Sequence, residues 1–75
     1  MSWCYRVMRK VEGEGTTHYY SFGIHEVYSS PKGWTEDSVG PQGDTLEELI
    51  QDWQMMGEAF KLPVLDHATG KKVRP

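Results

Sequence analysis

A single cysteine, Cys4, is all that this 75-residue chain contains, so no internal disulfide can hold it together. A secreted domain of this size ordinarily leans on several paired cysteines, and one thiol fits a reducing cytoplasm instead. Long apolar runs are missing too. Nothing approaches the roughly 20 residues that a membrane helix needs, and the start of the chain alternates aromatic and polar residues instead of resembling a signal peptide. The chain also lacks cations across its middle. Between Trp34 and Phe60 there are seven acids (Glu36, Asp37, Asp44, Glu47, Glu48, Asp52, Glu58) and no Lys or Arg. Apart from Lys32, the basic residues are Arg6, Arg9 and Lys10 in the first strand and Lys61, Lys71, Lys72 and Arg74 after Phe60, so a net charge of −3 conceals a segregated chain.

Motifs for chemistry are equally scarce. His18, His25 and His67, with Cys4 and Asp66, are the only soft-metal ligands to consider, and none pairs at a zinc-like spacing. They read as surface or turn residues, with no metal and no cofactor implied. No elbow or activating neighbour marks Cys4 as a nucleophile, and a strand cysteine is commonly a small apolar residue. Gly40 to Gly43 precedes a helix start, which is a natural anion site. The phosphate-loop spacings are absent, however, and Asp44, Glu47 and Glu48 would repel an anion there. The chain reads as a non-enzyme.

What is present is aromatic burial and clear patterning. Three Trp, four Tyr and two Phe supply large areas to a chain near the lower size limit for unaided folding. Residues 3–11 alternate, with Trp3, Tyr5, Val7 and Val11 on one parity, which predicts a strand. Glu12-Gly13-Glu14-Gly15 makes a hairpin turn, and residues 16–28 predict a second strand carrying Tyr20, Phe22 and Ile24 on one face. Pro31-Lys32-Gly33 reads as a break, with a third, polar edge strand over residues 34–39.

Thr45 and Glu48 then form a capping box, in which each side chain takes the other residue's free backbone N–H. Behind it Leu46, Leu49, Ile50, Trp53, Met56 and Phe60 recur at helical spacing, which predicts a helix from Thr45 to residue 60 or 61 with one buried stripe. Pro63 ends it. Val64-Leu65 is extended, and Asp66 to Lys71 predicts a tight turn with Gly70 at positive φ.

The expected fold is α+β: an antiparallel three-stranded sheet packed by one helix, with a short C-terminal hairpin or extended tail. Residues 1–65 form the domain and 66–75 a hairpin or a frayed basic tail. The expected core is Tyr20, Phe22, Ile24, Leu46, Leu49, Ile50, Trp53 and Phe60.

One helix covers one sheet face, so Tyr19 and Val27 are expected on an open, partly apolar face suited to self-association. The expected function is a small interaction or regulatory module, a homodimer that offers Tyr19, Val27, Glu47 and Glu48 to partners. The acids of the first helical turn suit a basic protein. The alternative is a sheet that binds single-stranded nucleic acid, with Tyr5, Tyr19, Tyr20 and Phe22 stacking bases beside Arg6 and Lys10. The acidic total counts against that alternative.

Gly43-Asp44-Thr45-Leu46-Glu47-Glu48-Leu49 resembles the segment of the HicB-like antitoxin domain that joins its last strand to its helix, where a G-D-T-x-E-E-A/L run stands. Pro31-x-Gly33 is similar to that domain's P-G turn. The resemblance covers roughly residues 3–60 and implies a βββα domain that dimerises or neutralises a toxin by protein contact. The stretch from Pro31 to Gly43 is longer than in that pattern, and no DNA-binding extension follows the helix, so operator binding is not carried over.

Overall fold

Two long strands form the spine of the molecule. The computed structural model describes residues 2–73, so Arg74 of the expected basic tail lies outside the described residues. Strand β1 (Trp3–Glu12) pairs antiparallel with β2 (Tyr19–Ser29) in one unbroken register, from Trp3 opposite Tyr28 to Glu12 opposite Tyr19. The second strand begins three residues later than predicted. The turn consumes residues 14–17, where the Thr17 N–H donates to the Glu14 carbonyl at 3.1 Å. Gly13 and Gly15 supply the positive φ that it needs.

The third strand is displaced from its predicted place. Strand β3 (Lys32–Trp34) pairs antiparallel with β2, Lys32 opposite Ser29 and Trp34 opposite Val27. Pro31 is therefore not a break between strands: with Ser30 it is the two-residue hairpin turn. Residues 35–39, expected as strand, leave the ladder. They bond to the β2 backbone where Thr35 N–H donates to the Glu26 carbonyl and Val39 N–H to that of Ile24.

Helix α1 (Leu46–Glu58) continues into a single 3-10 turn, Ala59–Lys61. Strand β4 (Leu65–Asp66) then joins the outer side of β1 in parallel, Leu65 opposite Met8. The sheet is thus four-stranded and mixed, in the order β3-β2-β1-β4, and not the antiparallel three-stranded sheet expected. The helix is the reason. A helical crossover returns the chain to the sheet running the same way as the strand it joins, which a tight turn cannot do.

Past β4 the chain doubles back. Asp66 N–H donates to the Lys71 carbonyl at 2.7 Å and Gly70 N–H to that of Asp66 at 2.7 Å, with Gly70 at φ 73°. A Cβ at Gly70 would stand 2.5 Å from the Trp34 ring, so glycine is required twice over.

The core is not the one the spacing predicts. Val7, Met8, Met56, Ala59 and Leu65 are buried, with His25 among them. Of the expected core, Tyr20, Phe22, Leu46, Leu49, Ile50, Trp53 and Phe60 are exposed, and Ile24 is half-buried. Geometry explains the sheet residues. A strand rises more than twice as far per residue as a helix, so α1, although slightly richer in residues than β2, spans only part of its length. The helix covers the end of the sheet at Tyr5 and Val7. Phe22 and Tyr20, opposite Arg9 and Val11, lie beyond it.

Candidate functional site

The helix begins where its cap dictates. Thr45 is extended, and its hydroxyl accepts the Glu48 N–H at 3.1 Å. The Glu48 carboxylate reaches back to accept the Asp44 N–H at 2.8 Å. That is one residue earlier than the Thr45 N–H that a capping box predicts. Glu47 and Glu48 occupy the first turn, where the helix dipole favours acids.

The roll of the helix about its own axis is set by Asp52. The Tyr5 hydroxyl donates to its carboxylate at 2.5 Å, and the Gln42 N–H donates to the other oxygen at 2.8 Å. These two bonds hold the Asp52 carboxyl below the usual carboxylate range, the Tyr5 bond contributing most. Burial of the phenol, and then the bond to Asp52 with its charge and that of Glu26, pushes the Tyr5 hydroxyl up to about 12. Asp52, Met56 and Ala59 lie one above the other on a helix, and this narrow stripe faces the sheet, with Met56 and Ala59 buried.

The large apolar residues lie about a quarter turn round from that stripe. Trp53 is 64% exposed, Phe60 70%, Leu46 72%, Ile50 46% and Leu49 37%. Gly57 falls among them. Exposed apolar surface of this breadth on a small domain is characteristic of a contact site. Of the stripe that the periodicity expected to be buried, Met56 is buried, and Leu46, Leu49, Ile50, Trp53 and Phe60 are not. Nothing in the spacing separates a helix that presents its widest apolar side to its own sheet from one that withholds it.

The opposite sheet face is covered at its middle, around His25, while Cys4 and Tyr19 toward its ends are exposed. Trp34 Nε1–H donates to the His67 carbonyl at 2.9 Å, and the imidazoles of His25 and His67 stand 5.1 Å apart. Both rings reach the Thr35 carbonyl, His25 Nδ1 at 2.9 Å and His67 Nε2 at 3.3 Å. His25 is therefore a buried anchor, not the surface residue expected, and it ties β2 to the chain after β3. Among the described residues no group of three or more His, Cys, Asp or Glu is placed to hold a metal ion.

The predicted contact residues do not form one patch. Tyr19 is exposed at the turn end of β2. Val27, on the same face, stands near the other end of that strand. It is half-buried, paired with Cys4 on one side and Trp34 on the other. Glu47 is exposed in the first helical turn, whereas the Glu48 carboxylate is engaged in the cap. The cations of the alternative reading are also engaged. Arg6 donates to the Pro63 carbonyl at 2.7 Å and Lys10 pairs with Glu36. Arg9 stacks 4.1 Å from the centre of the Tyr20 ring while facing Asp66.

No family model, curated protein or solved structure matches the chain. No helix among the described residues is long and apolar enough to cross a membrane.

Proposed function

We propose that this chain is a non-enzymatic interaction module that acts through self-association and protein contact, and that the exposed side of α1 is its working surface. One observation carries the reading: Leu46, Ile50, Trp53 and Phe60 stand outside the chain's own core although their spacing is that of a buried stripe. A protein gains nothing in its own stability from that arrangement, and it keeps apolar area available for a partner. Trp is prominent among the residue types that dominate contact energies once covered. The acidic first turn, with Glu47 exposed, adds a charged rim that suits a basic partner. The likeness to the HicB-like antitoxin domain points the same way, toward contact with protein.

A sheet that stacks single-stranded bases draws on exposed Tyr19, Tyr20 and Phe22. Its cations are already committed to Pro63, Glu36 and Asp66, and Arg9 occupies one face of the Tyr20 ring. Phosphates would have to displace those partners, so protein contact is the better reading.

Sedimentation of the full chain from micromolar to millimolar concentration, with affinity capture from its native extract, tests the proposal. A rising mass or a stoichiometric protein partner is expected. A strict monomer that retains no protein would end it, and salt-sensitive quenching of its fluorescence by single-stranded oligonucleotides would favour the alternative.

A further inference from the structure

The exposed apolar side of α1 and its 3-10 extension reads nearly the same in both directions about Trp53. Leu46 stands seven residues before it and Phe60 seven after; Leu49 is four before and Gly57 four after, with Ile50 beside the centre. A twofold contact requires such a self-complementary patch, because each copy must offer the surface it receives. Two helices laid antiparallel with the axis at Trp53 set each Leu46 against the partner's Phe60. Each Leu49 meets the partner's Gly57, large against small, and the two indoles meet at the axis.

Charge selects the antiparallel arrangement. Asp44, Glu47 and Glu48 make the start of the helix acidic, and Lys61 at its end is the only Lys or Arg between Lys32 and Lys71. Antiparallel copies bring each Lys61 to the other's acidic turn and oppose the helix dipoles favourably. A parallel pair would crowd the acids together. Lys61 now pairs with Glu58 at 3.0 Å, both side chains mostly exposed, and a screened surface pair of this kind exchanges readily.

Area supports a second copy as the occupant. A compact monomer of 8.6 kDa is expected to expose about 4,700 Å², and this chain exposes 5790 Å². Its radius of gyration is 13.6 Å against about 11 Å for a compact chain of this length. The surplus, roughly 1,100 Å², exceeds the roughly 800 Å² that each partner contributes to a standard interface. On this side of α1, Trp53 and Phe60, 64% and 70% exposed, together present on the order of 300 Å².

We infer that this surface is covered by a second copy of the chain, seated antiparallel across α1 about a twofold axis at Trp53. The inference rests on the interaction-module reading and names its partner. A charge exchange tests it, with sedimentation equilibrium of the full chain at low salt as the readout. Glu47→Lys and Lys61→Glu alone should each weaken the dimer about fivefold. An equimolar mixture of the two variants should associate better than either alone, since both rims of the mixed dimer then carry opposite charges, one in the native order and one reversed. Trp53→Ser, with helix content unchanged by circular dichroism, should weaken the dimer by more than about thirtyfold. A mixture that associates no better than either variant alone, or a Trp53→Ser chain that dimerises normally, overturns the inference. A monomeric wild type also overturns it. If such a monomer still captured a different protein, and lost it on Trp53→Ser, the interaction-module reading would stand without the dimer.

Discussion

The two long sides of α1 differ in a way that inverts the usual logic of an amphipathic helix. The side toward the sheet carries Asp52, Met56 and Ala59: one carboxylate, one flexible thioether and one methyl. The neighbouring side carries Leu46, Ile50, Trp53 and Phe60 and faces outward. If burial area alone chose the roll of the helix, the second side would face in, at about 25 cal/mol for each Å² covered. What opposes that roll is specific and local. Asp52 is tied to Tyr5 and to the Gln42 backbone, the cap fixes where the helix starts, and Pro63 with β4 fixes where it must return. These tethers leave the large apolar side of the helix outside, and the proposed function rests on that exposure.

The contrast can be broken most forcefully at Met56. It is 3% exposed, and Met56→Ala should cost about 3 kcal/mol, read as a lower denaturation midpoint at dilute concentration. A negligible loss would mean that the helix presents another side to the sheet. The second largest effect is expected at the cap, where Thr45→Ala leaves the Glu48 N–H without its acceptor and should cost about 1 kcal/mol.

Trp53→Ala is the counterpart that sharpens the comparison. In the dilute chain it should shift stability by less than about 0.5 kcal/mol, whereas a buried tryptophan would cost about 3–5 kcal/mol. A loss of the larger size would place Trp53 in the core and remove the basis for the interaction surface.

The smallest effects concern the tether that sets the roll, and pH reads them. The Asp52 carboxyl is depressed in the folded chain, so its contribution is present above the ordinary carboxylate range and fades as pH falls through its folded value. The Tyr5 hydroxyl is raised to about 12. Its contribution is therefore complete below the ordinary tyrosine value near 10 and is lost as pH rises toward the folded one. Tyr5→Phe should bring the Asp52 titration back toward the ordinary range, followed by carbon-detected nuclear magnetic resonance. An unchanged Asp52 would show that the phenol does not hold it.

Much of the architecture was legible residue by residue. The alternation around Tyr5 and Val7, the Gly13–Gly15 turn, the Thr45 cap, the stop at Pro63 and the left-handed Gly70 are local events, and local chemistry announces them. The misplaced third strand shows the limit of that legibility. Pro31 carries the same signal whether it separates two elements or forms the tight turn between them, and only the pairing of Lys32 with Ser29 decides. His25 shows it again. A histidine in a strand has no signature of burial until the Thr35 carbonyl and the turn at His67 arrive from elsewhere in the chain. The candidate surface was visible as a stripe and invisible as a surface.

What the amino-acid order determined by itself was where β1 starts, where α1 is capped and stopped and where the last turn falls, because caps, glycines and prolines act within a few residues of their own position. It also set which residues share a side of each element, because the periods of helix and strand are properties of the backbone. Only the tertiary structure decided which side of α1 meets the sheet, that β4 runs parallel to β1, and that the far half of the paired strands goes uncovered by the helix. Those outcomes depend on how far a short helix reaches along a longer strand, and on bonds such as Tyr5 to Asp52 that join residues 47 positions apart. No local pattern encodes a distance of that kind.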